Sequence, residues 1–95
     1  MNERFWAFAK EQISVETWER LHTTLGVSKY RLNSLINGTT DFYPVEIPPM
    51  ANVLGLKPIE LIMQWGVGRK YVTLDIMDEL AKEEGLEVGL LAHSA

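Results

Sequence analysis

Apolar side chains recur three to four positions apart along most of this chain, and polar residues fill the positions between them. This period is typical of amphipathic helices that bury one stripe, so the pattern predicts an all-α chain. The first helix is expected over residues 3–12, with Asn2 as its cap and Trp6 off its apolar face. That face carries Phe5, Phe8, Ala9 and Gln12.

The next predicted helix begins after Ser14 and ends at Gly26. Ser14 can cap it, and Ile13 and Trp18 occupy the two positions of a hydrophobic staple. Gly26 favours a left-handed corner, which other residues adopt only at a cost. The inward face of this helix is predicted to contain Trp18, Leu21 and Leu25.

A third helix is predicted after Ser28, which can cap it, and the Asn37-Gly38 pair closes it. Its inward face is predicted to contain Leu32, Leu35 and Ile36.

Two adjacent prolines affect the predicted start of the next helix. Proline donates no backbone hydrogen bond and disfavours helical geometry in the residue before it, so Pro48 and Pro49 predict an irregular start. We expect a single turn over residues 43–47, then a short helix from Pro49 to Leu54 that Gly55 stops.

Two more helices are predicted beyond that point. One opens with Pro58 at its first position, runs to Trp65 and ends at Gly66. The other follows Thr73 as its cap and closes at Gly85. These helices and the one before them would complete the core with Met50, Val53, Leu54, Leu61, Ile62 and Trp65.

Composition narrows the class of protein. A chain of 95 residues with 46% hydrophobic content is typical of one globular domain. The absence of cysteine excludes disulfides, thiolate metal sites and thiol catalysis. Neither a membrane-spanning run nor a secretory signal is evident, so a cytoplasmic location is expected.

Charge divides the chain unevenly. Residues 1–70 hold eight Lys and Arg against seven Asp and Glu, whereas residues 71–95 hold one lysine against six acids. We therefore distinguish a near-neutral domain over residues 1–68 from a C-terminal helix and short tail over residues 69–95. The tail is expected to be a short strand or an apolar segment with Val88, Leu90 and Leu91. Residues 69–95 as a whole are too few to hold a core alone and are a candidate segment for homodimerisation.

The run over residues 14–66 resembles the Cro/lambda-repressor type of helix-turn-helix domain. The resemblance implies a five-helix bundle, here with an extra C-terminal helix, and sequence-specific binding of double-stranded DNA by a transcriptional regulator. It covers 53 of the 95 residues. The matching residues are Leu21, Leu25, Gly26, Val27, Leu32, Leu35 and Asn37-Gly38, then Met50-Ala51, Leu54-Gly55, Pro58 and Leu61-Ile62.

The resemblance also implies which residues meet DNA. Residues 28–37 would form the recognition helix in the major groove, where lysine can bond guanine and asparagine can bond adenine in two places. Arg31 lies to the side and is better placed for a phosphate, as are Thr39 and Thr40 in the following loop. The residues expected to face the groove are Ser28, Lys29, Tyr30, Asn33 and Ser34.

Three features depart from that family's pattern. His22 stands where a small residue is usual, and Trp18 stands where a glutamine often binds a phosphate. Pro48-Pro49 is expected to shorten the fourth helix.

No other chemistry is indicated. Two histidines without cysteine give no metal-ligand spacing, so we expect neither a metal nor a cofactor. The acidic residues Asp75, Asp78, Glu79 and Glu83 are interpreted as a solvated face opposite Leu74, Met77, Leu80 and Ala81. Because no acid, base and nucleophile come together, an enzyme is not expected.

A protein-interaction module on the same fold is the alternative function, such as an antitoxin or adaptor that binds a basic partner through residues 70–95. A continuous positive face around the third helix would favour DNA. An exposed Trp6/Tyr30 patch on a neutral face would favour protein.

Overall fold

Seven α-helices and one 3₁₀ turn make up residues 3–83, the part of the chain that the computed structural model describes. The prediction of an all-α chain is confirmed, since these residues contain no strand. In chain order the elements are α1 (Glu3–Gln12), α2 (Val15–Glu19), α3 (Leu21–Leu25), α4 (Lys29–Ile36), the 3₁₀ turn (Pro44–Glu46), α5 (Ile47–Leu54), α6 (Pro58–Trp65) and α7 (Leu74–Glu83).

Caps set most of the helix ends, as the sequence predicts. The Ser14 hydroxyl oxygen accepts a hydrogen bond from the Thr17 N–H, and the Ser28 hydroxyl oxygen accepts one from the Arg31 N–H. At the other end of α3, Gly26 adopts φ 71°, a left-handed conformation that reverses the chain before α4. Helices α5 and α6 end in the same left-handed conformation, at Gly55 and Gly66.

The sequence predicts one unbroken helix from Ser14 to Gly26. The structure has two helices there, α2 and α3, because the backbone leaves helical geometry at Arg20. The Arg20 backbone lies at φ −97° and ψ 7°, outside helical geometry. Its carbonyl oxygen accepts from the backbone N–H groups of Thr23 and Thr24, and also from the Thr24 hydroxyl at 3.2 Å. Such a threonine bond to the preceding turn bends helices, and no glycine or proline marks the position.

The Pro48-Pro49 pair does not shorten its helix, contrary to expectation. The preceding turn lies over Pro44–Glu46 as predicted, but α5 begins at Ile47 rather than at Pro49. Both prolines therefore fall in the first helical turn, where backbone N–H groups have no acceptor within the helix, so proline loses nothing there.

Trp6 belongs to the core, so the prediction that it lies off the buried face of α1 is wrong. Its side chain is 4% exposed, its indole N–H donates to the Leu35 carbonyl at 3.0 Å, and its ring stacks on Phe42. Helix α1 is covered on two sides, so its buried surface is wider than one stripe. Gln12, placed on that stripe, is exposed.

The remaining core follows the predicted pattern closely. Of the residues expected inside, Leu21, Leu25, Leu35, Met50, Leu54, Leu61 and Ile62 are buried. Partly buried side chains that pack against them include Ile13, Trp18, Leu32, Ile36, Val53 and Trp65.

Helix α7 packs on the body through Leu80, which is buried in the main core, and through Ala81, which packs with Ile59. Thr73 caps it as predicted, accepting from the Ile76 N–H. Leu74, placed on the inward face by its spacing, is instead 72% exposed at the first helical position. The expectations for Asn2, Gly85 and the tail lie outside the described residues.

No helix of residues 3–83 has the length and apolarity that crossing a membrane requires.

Candidate nucleic-acid interface

Helix α4 divides cleanly into an inward and an outward side. Leu35 is buried, and Leu32 and Ile36 pack against the core. Lys29 and Asn33 are exposed on the other side. Of the residues that sequence reasoning assigned to the groove, Ser28, Lys29, Tyr30 and Asn33 are exposed, and Ser34 is half-buried.

Both ends of α4 are fixed by hydrogen bonds. Ser28 caps the start, and at the end the Ser34 carbonyl accepts from the backbone N–H and the hydroxyl of Thr39, at 3.0 and 3.1 Å. In the last turn, the Trp6 indole N–H binds the Leu35 carbonyl and ties α4 to α1. The outward side chains of α4 are therefore carried on a rigid support.

Arg31 is held inside the molecule by a network that the sequence did not reveal. Its Nε and Nη2 atoms donate to the two carboxylate oxygens of Glu46 at 3.0 and 2.8 Å, a bidentate pair. Nη2 also donates to the Asp41 carbonyl at 2.8 Å, and Nη1 donates to the Thr40 hydroxyl oxygen at 3.3 Å. The guanidinium lies 3.9 Å from the ring centroid of Tyr43.

This network makes Arg31 a tie between α4 and the loop that follows it. Glu46 is 3% exposed, and it also accepts from the Tyr43 N–H at 2.7 Å, which closes the 3₁₀ turn. The hydrogen bond to Glu46 raises the pKa of the Arg31 guanidinium, while burial opposes that rise. Most of the Arg31 N–H groups already donate within the molecule. Contact of Arg31 with a phosphate stays a prediction.

No local spacing could have found this pair, because its members are 15 residues apart and join through tertiary structure. The sequence offered one signal for this pair, because Glu46 is the single acidic residue in the proline-rich turn.

Thr39 and Thr40 lie beside a cleft of about 270 Å³ at the C-terminal end of α4. Thr39 is exposed, whereas Thr40 is half-buried by its contact with Arg31. Sequence reasoning did not single out Arg69 and Lys70, which line the same cleft from the α6–α7 connection. They are adjacent cations in a glycine-rich turn, and nothing in the sequence pairs that turn with residues 38–41.

Trp18 packs against the core, as the sequence predicted. Its ring meets the Trp6 ring edge-on, with centroids 6.0 Å apart, and its side chain packs against the core. His22, one residue into α3, is half-buried. The unusual side chains at these two positions are thus accommodated by packing.

The Trp6/Tyr30 patch expected of a protein-binding surface does not form, because Trp6 is buried. A different group of apolar side chains is exposed near the start of α4, namely Tyr30, Tyr43 and Val45. Tyr43 and Val45 border a second cleft of about 420 Å³ that also includes Gly26 and Val27.

Within residues 3–83, no three His, Asp or Glu side chains are placed to hold a metal ion together. Comparisons of this chain with protein-family models, with curated proteins and with solved structures gave no match. The resemblance to the Cro/lambda-repressor type therefore rests on the residues quoted for it.

Proposed function

We propose that this protein binds double-stranded DNA in a sequence-specific manner and regulates transcription, with α3 and α4 acting as a helix-turn-helix unit of the Cro/lambda-repressor type. One observation carries the proposal. Helix α4 follows a left-handed glycine corner, is capped by Ser28, is fixed to the core by its leucines, and presents Lys29 and Asn33 outward. This is the arrangement that insertion into a major groove requires.

The outward side chains suit base recognition. Lys29 can donate to O6 and N7 of guanine, and Asn33 can form two hydrogen bonds with adenine. They are four residues apart, so they lie one helical turn from each other on the same face and can read neighbouring base pairs. Tyr30, 83% exposed, offers a ring for contact with a thymine methyl group or with the sugar.

The small positive balance of residues 1–70 limits how many phosphates one copy can contact. Arg31 adds little to that number because Glu46 neutralises it. We expect a shallow dependence of affinity on salt for one copy, and specific binding that gains from dimerisation.

A homodimer would place two copies of α4 on half-sites roughly 34 Å apart, one turn of the double helix. The proposed dimerisation segment is residues 69–95. Its described part contributes the exposed Leu74, and Met63 of the neighbouring α6 is also exposed.

The test measures DNA binding of two variants of α4. Lys29→Ala and Asn33→Ala should each weaken binding to a selected DNA site by about 1–3 kcal/mol per lost base contact, with less effect on random DNA. The matched controls are Lys10→Ala and Asn52→Ala, which remove exposed residues of the same types from α1 and α5. Equal effects of the α4 variants and the controls would contradict the proposal.

A second candidate, a protein-interaction module, is favoured by the exposed group of Tyr30, Tyr43 and Val45. In this case the exposed group and the acidic C-terminal segment would both contact a basic partner. Val45→Ser would then abolish partner binding while leaving the fold intact, whereas Lys29→Ala would have no effect on it. If the protein instead binds DNA through α4, Lys29→Ala should weaken DNA binding more than Val45→Ser does.

A further inference from the structure

A cleft at the C-terminal end of α4 has the shape and charge of a site for one phosphate group. It opens between the loop after α4 and the turn after α6, and its volume is about 270 Å³. Residues with two positive side chains, two hydroxyl groups and one carboxylate line it. Its lining residues are Gly38, Thr39, Thr40, Asp41, Gly66, Arg69 and Lys70.

Both cations, Arg69 and Lys70, are exposed residues that line the cleft. The Lys70 ammonium lies 5.5 Å from the ring centroid of Tyr71. Arg69 folds over Gly66 so closely that a Cβ there would come within 2.8 Å of the Arg69 Nε. The guanidinium therefore lies beside Gly66, which also lines the cleft.

The turn that carries these cations is fixed to the loop after α4 by Asp41. One Asp41 carboxylate oxygen accepts from the N–H groups of Phe42 and Gly68, and the other accepts from the Lys70 N–H. These three donors offset part of the carboxylate's negative charge. With two cations against one carboxylate, the cleft favours an anion.

The hydroxyl of Thr40 completes the set of donors. Its oxygen already accepts from the Arg31 Nη1, so its own proton is free to be donated outward. Thr39 cannot serve in the same way, since its hydroxyl donates to the Ser34 carbonyl.

We propose that this cleft binds a backbone phosphate of the DNA whose groove receives α4, with Arg69, Lys70 and Thr40 as its donors. This inference rests on the proposed function. The loop that forms one wall follows α4 directly, so a DNA strand alongside α4 passes the mouth of the cleft. The phosphate holds the helix in register and carries no sequence information.

The first test is the salt dependence of DNA binding by the Arg69→Gln/Lys70→Gln variant. Losing one phosphate contact should reduce the magnitude of the log–log salt slope by about 0.9 and weaken specific and random DNA by the same factor. The control, Lys10→Gln/Lys57→Gln, removes the same charge at exposed positions outside the cleft and should keep the wild-type slope. A wild-type slope in the Arg69/Lys70 variant would overturn the proposal.

A second measurement separates this inference from the proposed function. Inorganic phosphate is titrated into the ¹⁵N-labelled protein, and the amide signals of Thr40, Gly66 and Arg69 are followed in wild type and in the double variant. If wild type binds DNA, the salt slope decides the proposal. If wild type does not bind DNA, the proposed function fails. Saturable shifts that the double variant loses would then keep the cleft as a site for free phosphate, and their absence would overturn it.

Discussion

Replacing Arg31 by methionine should destabilise this fold far more than removing an exposed arginine does. The Arg31 guanidinium forms a bidentate pair with Glu46, whose side chain is 4% exposed. Without Arg31, that carboxylate stays buried with the Tyr43 N–H as its remaining donor among the hydrogen bonds of the network. An unpaired buried charge is among the most costly defects in a protein interior.

The expected loss in the free energy of unfolding follows from the burial of the Arg31–Glu46 pair. Removing one partner of a buried ion pair costs about 3–5 kcal/mol. Because the Arg31 side chain is 18% exposed and water can reach the vacated space, we expect the lower end, about 3 kcal/mol. For a domain of this size that corresponds to a fall in Tm of roughly 12–24 °C.

Urea unfolding followed by tryptophan fluorescence measures this change, since Trp6 lies in the core. The double variant Arg31→Met/Glu46→Gln leaves no unpaired charge and should be more stable than Arg31→Met alone. Arg20→Met, at an exposed arginine, should change the free energy of unfolding by no more than about 0.5 kcal/mol.

The stabilisation that Arg31 supplies should also be independent of pH near neutrality. A raised pKa of the Arg31 guanidinium means that this stabilisation is fully present below the ordinary pKa of arginine and is lost only as pH rises through the raised value. The contribution of the Arg31 charge to the free energy of unfolding of the wild type should therefore not change from about pH 6 to 9. A penalty equal to that of Arg20→Met, or a double variant as unstable as the single one, would refute the buried pair.

Three further substitutions test the support of α4. Ser28→Ala removes the N-cap and should cost about 1 kcal/mol in the free energy of unfolding. Gly26→Ala meets no neighbouring atom within 4 Å, so its expected cost of about 1–2 kcal/mol is the strain of a left-handed backbone alone. Trp6→Phe loses the hydrogen bond to the Leu35 carbonyl and part of the buried ring, at about 1–3 kcal/mol.

Each of these has a matched comparison in the same thermal or urea unfolding assay. Ser28→Gly should cost only a few tenths of a kcal/mol, about the usual difference for a glycine cap. Gly26→Asn should be milder than Gly26→Ala because asparagine tolerates the left-handed region. Trp18→Phe, at a half-buried ring, should be milder than Trp6→Phe. A reversed order in any pair would contradict the corresponding assignment.

Local signals predicted most of the helix boundaries. Ser14, Ser28, Gly26, Gly55 and Pro58 act on the two or three residues beside them, so their effect can be recognised without knowing the fold. The apolar stripes also identified most of the buried residues, because a helix that packs on one side must repeat its apolar positions every three to four residues.

Features that depend on tertiary structure escaped prediction. Trp6 is buried because α1 is covered on two sides, which the stripe of one helix cannot reveal. The break at Arg20 follows from a threonine hydrogen bond that is compatible with an unbroken helix in most settings. Leu74 has helical spacing but lies at the first position of α7 and is exposed.

The sequence likewise predicted part of the candidate site, and the rest depended on the fold. The exposed face of α4 could be read from the spacing of Lys29 and Asn33 once its leucines were assigned inward. The engagement of Arg31 by Glu46, and the approach of Arg69 and Lys70 to the loop after α4, join segments 15 to 29 residues apart and required the fold.

Selection of genomic DNA fragments by the purified protein at two salt concentrations shows whether α4 reads a DNA sequence. We predict enrichment of a defined sequence with half-sites roughly 34 Å apart. We also predict that Lys29→Ala/Asn33→Ala changes or abolishes that sequence. No enrichment even at low salt, or the same sequence enriched by the double variant, would contradict recognition through α4.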